Sequence, residues 1–196
     1  MKGVASVLFV LFSVLSFSQT KFGIAAGINN SFLTEGIAQG FNIEPSIGAQ
    51  FGVFCEVDFT KSVHFRPKLM YSEQGDRYKT TNFGTSSQEL STINYKLNYL
   101  NIPLDFKFGN KIYAVAGPQI GVLVGKKIEG SYFGTVQSEL DFGINIGGGA
   151  KFNNFFVEVG AYQGLTTVFQ YYYSSTGNLV KANNGCLKLA LGYYFL

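Results

Sequence analysis

The chain of 196 residues has no tryptophan, one histidine, two cysteines and four prolines, and only 14% of its residues are charged. One histidine and two cysteines exclude most metal-cluster and thiol chemistry, which needs several convergent imidazole or thiolate ligands. Fifteen basic residues stand against twelve acidic ones, a formal charge of +3. No run of Lys or Arg lies behind that charge, so an extended nucleic-acid footprint is excluded. Beyond residue 18 no unbroken apolar run reaches the roughly 20 residues that cross a bilayer as a helix. What the chain has in quantity is phenylalanine (20), tyrosine (12) and glycine (24), within a total of 46% hydrophobic residues. That content excludes a disordered polymer. It favours strands, because Phe, Tyr, Val and Ile fit a pleated surface whereas Gly costs a helix about 1 kcal/mol. The length suits a single domain.

The first segment reads as an export signal. Lys2 precedes an apolar stretch over residues 4–17, and Ser16 and Ser18 supply the small residues that a signal peptidase requires. The expected organisation is a signal peptide over residues 1–18 and one domain over residues 19–196.

Alternation dominates the remainder of the chain. Ile47, Ala49, Phe51, Val53, Cys55, Val57 and Phe59 share one face of a strand, while Gly48, Gln50, Gly52, Phe54, Glu56 and Asp58 share the other. The pattern resumes at Val63, with Phe65, Pro67, Leu69 and Tyr71 apart from His64, Arg66, Lys68 and Met70. A turn at Thr60, Lys61 and Ser62 makes these a hairpin that sets Asp58 opposite His64 and Glu56 opposite Arg66, pairs of opposite charge on one face. Six more segments read as strands: 22–29, 93–108, 112–124, 140–152, 155–165 and 187–195. In the second of these, apolar residues change phase between Tyr99 and Leu100, which predicts a β-bulge. Long polar loops (30–46, 73–92, 125–139, 166–185) alternate with tight turns at 60–62, 109–111 and 153–154. Gly109 and Asn153 tolerate the positive φ that such turns need. Eight strands joined in this way close into an up-and-down barrel with no free edge.

Glycine decides which face is inside. Gly23, Gly27, Gly48, Gly52, Gly143, Gly147, Gly149 and Gly192 all fall on the polar face, and an eight-stranded bore has room only for side chains. The apolar face therefore points outward into lipid, and the fold expected is an all-β, eight-stranded antiparallel up-and-down transmembrane β-barrel.

The segments Lys21-Phe22-Gly23-Ile24-Ala25-Ala26-Gly27, Asn98-Tyr99-Leu100-Asn101-Ile102-Pro103-Leu104, Ala116-Gly117-Pro118, Asp141-Phe142-Gly143-Ile144-Asn145-Ile146-Gly147 and Leu191-Gly192-Tyr193-Tyr194-Phe195 resemble, in order and spacing, the PorT-type outer-membrane β-barrel family common in Bacteroidetes. The resemblance implies a small barrel in the bacterial outer membrane, without a catalytic apparatus, in a family with one branch linked to protein secretion.

The most chemical feature is the inward cluster Glu56, Asp58, His64, Arg66 and Lys68, with Lys96, Asp141, Lys151, Glu158 and Lys188 as further candidates. Two roles are open to it: a charged lumen that selects or gates a small solute, or charges that neutralise one another in a bore too narrow for flow. His64 beside Asp58 lacks an identified nucleophile, and one histidine with scattered carboxylates makes a poor metal site. No catalytic, cofactor or metal site is expected. The expected partners are outer-membrane lipids and a protein at the extracellular loops, where aromatics including Phe169, Tyr171, Tyr172 and Tyr173 gather; no nucleic acid is expected.

Overall fold

The computed structural model describes residues 20–34, 42–81, 90–129, 134–172 and 179–195. The expected signal peptide lies outside the described residues. The described residues form nine antiparallel strands: β1 (Lys21–Thr34), β2 (Asn42–Asp58), β3 (Val63–Thr81), β4 (Leu90–Gly109), β5 (Ile112–Glu129), β6 (Gly134–Val136), β7 (Leu140–Phe152), β8 (Phe155–Tyr172) and β9 (Leu179–Tyr194). Eight long strands pair in chain order, β5 passing directly to β7, and β9 returns to β1 over a ladder from Gly23↔Tyr194 to Thr34↔Asn183. The result is a closed eight-stranded antiparallel β-barrel. β6 has only 3 residues and pairs with the far end of β8, from Gly134↔Tyr171 to Val136↔Phe169. A stretch so short carries no periodicity that the sequence could reveal.

The tight turns and both ends of the described chain gather at one end of the barrel. There Gly109 (φ 108°) and Asn153 (φ 54°) adopt the left-handed backbone that glycine and asparagine tolerate best. The register Asp58↔His64 holds as the hairpin pattern requires. At the opposite, loop end the strands run further than alternation implies: β3 reaches Thr81, β4 starts at Leu90, β8 reaches Tyr172 and β9 starts at Leu179. Residues expected in loops are thus strand. Phe169 is one of them, buried to 4% exposure in β8, where two register shifts turn consecutive residues Val168 and Phe169 inward. Tyr71 lies on β3, as alternation from Val63 implies, with its ring 5.3 Å from that of Phe51.

The predicted phase change in β4 is absent. Leu97 and Tyr99 point inward in step with Asn101, Asp105 and Lys107, and all five are buried. The extra residue lies across the ladder in β5: Asn98 opposes Gly125 while Tyr99 opposes Leu123, which leaves Val124 unopposed. Tyr99 and Leu97 are apolar because they fill the bore, not because they face lipid.

Elsewhere the faces sort as glycine dictates. Ile24, Ile28, Phe51, Val53, Ile144, Ile146, Val159, Leu189 and Leu191 are exposed on the outer wall. Phe22, Phe59, Phe108, Phe152, Phe155 and Phe195, also exposed, ring the turn end. Inside, glycines face rings. A Cβ on Gly192 would collide with the Phe156 ring and one on Gly23 with the Phe54 ring, and one on Gly149 would lie 2.5 Å from Tyr113 Oη. Interior glycine is therefore the space into which the large side chains pack.

An arginine placed at lipid depth should reveal the outward face. Leu189→Arg, at a site paired with Ile28 and Val159 in mid-barrel, is expected to cost about 2–4 kcal/mol of folding stability in lipid vesicles. Asn154→Arg, in a turn, should cost little by the same denaturant titration. Equal costs would place Leu189 inside.

Candidate functional site: a bore of paired charges

The bore is built in layers that begin at the turn end. Asp58, the last residue of β2, accepts a hydrogen bond from Lys21 Nζ at 2.7 Å and lies against His64 Nδ1. The other imidazole nitrogen, His64 Nε2, is 3.1 Å from Asn110 Oδ1, and Asn110 Nδ2 donates to the Lys61 carbonyl at 2.9 Å. These contacts fasten the β2–β3 and β4–β5 turns to each other.

One step deeper, Glu56 takes two hydrogen bonds from Lys107 Nζ, at 3.0 and 3.1 Å, and one from Tyr194 Oη at 2.7 Å. Above it Arg66, with no solvent exposure, donates from Nη2 to Glu158 Oε2 across the barrel, from β3 to β8. Its guanidinium lies 5.1 Å from the Phe156 ring centre, 5.3 Å from Tyr113 and 5.8 Å from Phe54. Aromatic faces carry negative potential, so they stabilise the desolvated cation beyond its single carboxylate. Lys68 completes the layer by bridging Glu158 (2.6 Å) and Asp105 (3.1 Å). Phe54, Phe156 and Tyr194 meet one another in tilted and edge-to-face contacts with centroids 5.0 to 5.6 Å apart. Ions and rings thus fill the section of the bore nearest the turns.

Beyond a small cavity the buried polar side chains described in the loop half are amides and hydroxyls, with Asp141 the one carboxylate among them. Asn184 donates to Asp141 at 2.8 Å and Asn29 to Ser72 at 3.0 Å. Ser31 Oγ donates to the Gly75 carbonyl at 2.8 Å. Tyr99 and Tyr162 stand buried at the same depth.

The structure brings Glu56, Asp58, His64, Arg66 and Lys68 together, but not in the pairing that the hairpin suggested. Glu56 is paired with Lys107 rather than with Arg66, because Arg66 reaches across to Glu158. Lys151 places its ammonium 4.2 Å from the Tyr194 ring, and Lys188 hydrogen-bonds Gln119 and Asn145. Lys96 is exposed and takes no part in the bore. Sequence reasoning missed Lys21, Asp105, Lys107, Tyr113 and Tyr194. Asp105 and Lys107 carried the same signal as the others, alternating with Leu104, Phe106 and Phe108. Tyr171 and Tyr172 end β8, and Tyr173 lies outside the described residues.

Glu56, Asp58 and His64 also bring three ligand atoms within 4.8 Å of one another. The two carboxylates already hold Lys107, Tyr194 and Lys21, so a metal ion would have to displace two ammonium groups. The cluster is a salt-bridged network in this arrangement.

A closed sheet, apolar outside and ionic within, is the build of an integral membrane β-barrel. The sequence matches the outer membrane protein beta-barrel domain family over residues 17–170. The chain belongs to that family and resides in the bacterial outer membrane. Among solved structures it is similar to Neisserial surface protein A (TM-score 0.43, 11% identity, covering 89% of this chain and 96% of that one). It is also similar to OprG from Pseudomonas aeruginosa (0.41, 12%, 90% and 94%) and to the attachment invasion locus protein Ail of Yersinia pestis (0.40, 18%, 90% and 99%). No curated protein matches the sequence at a significant level.

Breaking the central pair should cost more than deleting it. Glu158→Gln leaves Arg66 buried without a counter-charge and is expected to destabilise the barrel by about 3–5 kcal/mol. Arg66→Met combined with Glu158→Met should recover much of that loss. Equilibrium urea unfolding of the lipid-reconstituted protein measures both, and a double variant less stable than the single one would contradict the primacy of charge pairing here.

Proposed function

We propose that the protein is a non-enzymatic outer-membrane component with a structural or interaction role, its contacts made at the loop end and its lumen closed. The observation that carries this reading is the Arg66 layer, in which one guanidinium is enclosed by Glu158, Phe54, Tyr113 and Phe156. An eight-stranded bore filled in this way leaves no continuous water path for a solute. A narrow channel is the weaker reading for that reason.

The loop end supports an interaction role. β3 and β4 stay paired out to Thr81↔Leu90, and β8 and β9 out to Tyr172↔Leu179, well past the outward apolar residues Leu69 and Leu165. Paired strands of that length hold surface away from the bilayer. Tyr171 and Tyr172 close β8, and Tyr173 is the next residue in the chain. Tyrosine offers a large contact area at low entropic cost. The finer placement in the PorT-type branch, with its link to secretion, rests on the sequence motifs alone.

Two measurements test the reading. Reconstitution in planar bilayers should give no single-channel steps, and regular steps would revive the channel. Crosslinking and pull-down from native outer membranes should recover a protein partner, and recovery should fall at least tenfold when Tyr171, Tyr172 and Tyr173 are all changed to Ser in a barrel that still shows heat-modifiable migration. Undiminished recovery would remove these tyrosines from the contact, and secretion-machine components among the partners would favour the PorT-type placement.

A further inference from the structure

Midway along the bore, between the Arg66 layer and the level of Tyr99 and Tyr162, the packing opens into a cavity of about 50 Å³ whose wall includes Lys68, Asp105, Gln119, Asn145, Glu158 and Lys188. Its ionic groups are unevenly paired. Lys68 bridges both carboxylates, and Glu158 is shared with Arg66. Lys188 has no carboxylate within 4.0 Å among the described residues. Its hydrogen bonds, both 2.9 Å, go instead to the neutral amide oxygens Gln119 Oε1 and Asn145 Oδ1. Asp141, on β7, is held by Asn184 and does not line the cavity. Two cations, Lys68 and Lys188, thus line this space with two carboxylates, Asp105 and Glu158, but Glu158 also serves Arg66 just outside the wall, so three cations of the network draw on two carboxylates.

Hydrogen bonding points the same way. With their oxygens turned to Lys188, Gln119 and Asn145 keep amide nitrogens as donors. Neither Gln119 Nε2 nor Asn145 Nδ2 finds an acceptor, although the side chains are only 0% and 7% exposed. An ammonium has three N–H donors, so Lys188 has one to spare. A half-buried cation facing a cavity beside unused donors offers an anion its contacts. We propose that this cavity binds one small monovalent anion, chloride or a halide of similar size, against Lys188 Nζ, Gln119 Nε2 and Asn145 Nδ2. A water needs roughly 10–15 Å³ of such space, so the cavity admits the ion together with a water that satisfies the unpartnered Asp105 Oδ1. The anion supplies the missing counter-charge and locks β5, β7 and β9 together at mid-membrane.

Bromide is the probe. Crystals of the full detergent-solubilised protein grown in sodium bromide should show an anomalous peak within hydrogen-bond reach of Lys188 Nζ and Gln119 Nε2. At fixed ionic strength the unfolding midpoint in detergent should be higher in chloride than in gluconate, which is too bulky to enter. Gln119→Glu sets a fixed carboxylate beside Lys188, so its midpoint should be the same in both salts. If that variant does not fold, Asn145→Asp places the charge from the adjacent strand. A cavity holding only water in bromide-grown crystals overturns the proposal, as does a wild-type midpoint indifferent to chloride.

Discussion

Hydrocarbon offers no hydrogen-bond partner, so each backbone N–H and C=O that crosses it must be satisfied within the sheet. The β1–β9 ladder is where this protein meets that requirement, because without it two strands would present open edges to lipid. Closure at eight strands then fixes the width of the bore, and the width fixes what can fill it. Side chains from opposite walls meet near the axis, so large groups on one strand need small ones on another. That is why Gly192 and Gly23 lie under Phe156 and Phe54, and why so many glycines share the inner face.

The same narrowness governs the charges. An ion that cannot reach bulk water must find its counter-charge inside, and the pairs found here join both neighbouring strands (Lys21 with Asp58, Lys68 with Asp105) and strands that do not pair in the sheet (Glu56 with Lys107, Arg66 with Glu158). Desolvation offsets much of the attraction in such pairs, so their net contribution to stability is small next to the cost of breaking one. Their greater effect falls on register. A one-residue slip of β3 against β2 or β4 would turn Arg66 and Lys68 toward lipid and leave Glu158 and Asp105 alone in the bore. Steric fit of rings on glycines and pairing of ions select the same alignment.

The wall was legible in the sequence wherever one face met lipid and the other met the bore. β1, β7 and β9 show this most clearly, as in Leu187, Leu189 and Leu191 against Lys188 and Ala190. Legibility failed in two physical situations. Past the bilayer both faces of a strand are polar, so residues such as Glu73 to Thr81 look like loop though they are paired with β4. Within the bore an apolar residue mimics a lipid-facing one, which is how Leu97 and Tyr99 simulated a phase change. For the site, hairpin register was enough to gather Glu56, Asp58, His64, Arg66 and Lys68. It could not assign their partners, since Lys107 and Glu158 approach only once the cylinder closes.

The two halves of the bore differ according to where each leads. In the turn half, ion pairs and rings pack against short turns and the chain ends, and the His64–Asn110–Lys61 contacts fasten one turn to the next. In the loop half, amides and hydroxyls such as Asn29, Ser31, Ser72, Gln74 and Asn184 replace most of the ions among the described residues, Asp141 being the exception. Neutral groups suit that position, because a carboxylate or ammonium there would gain from water beyond the membrane and draw it into the barrel. An amide or hydroxyl loses less on burial and bonds readily to neighbouring backbone, as Ser31 does to Gly75. Rigidity is thereby concentrated below and continued upward by uncharged contacts into the strands that project from the bilayer.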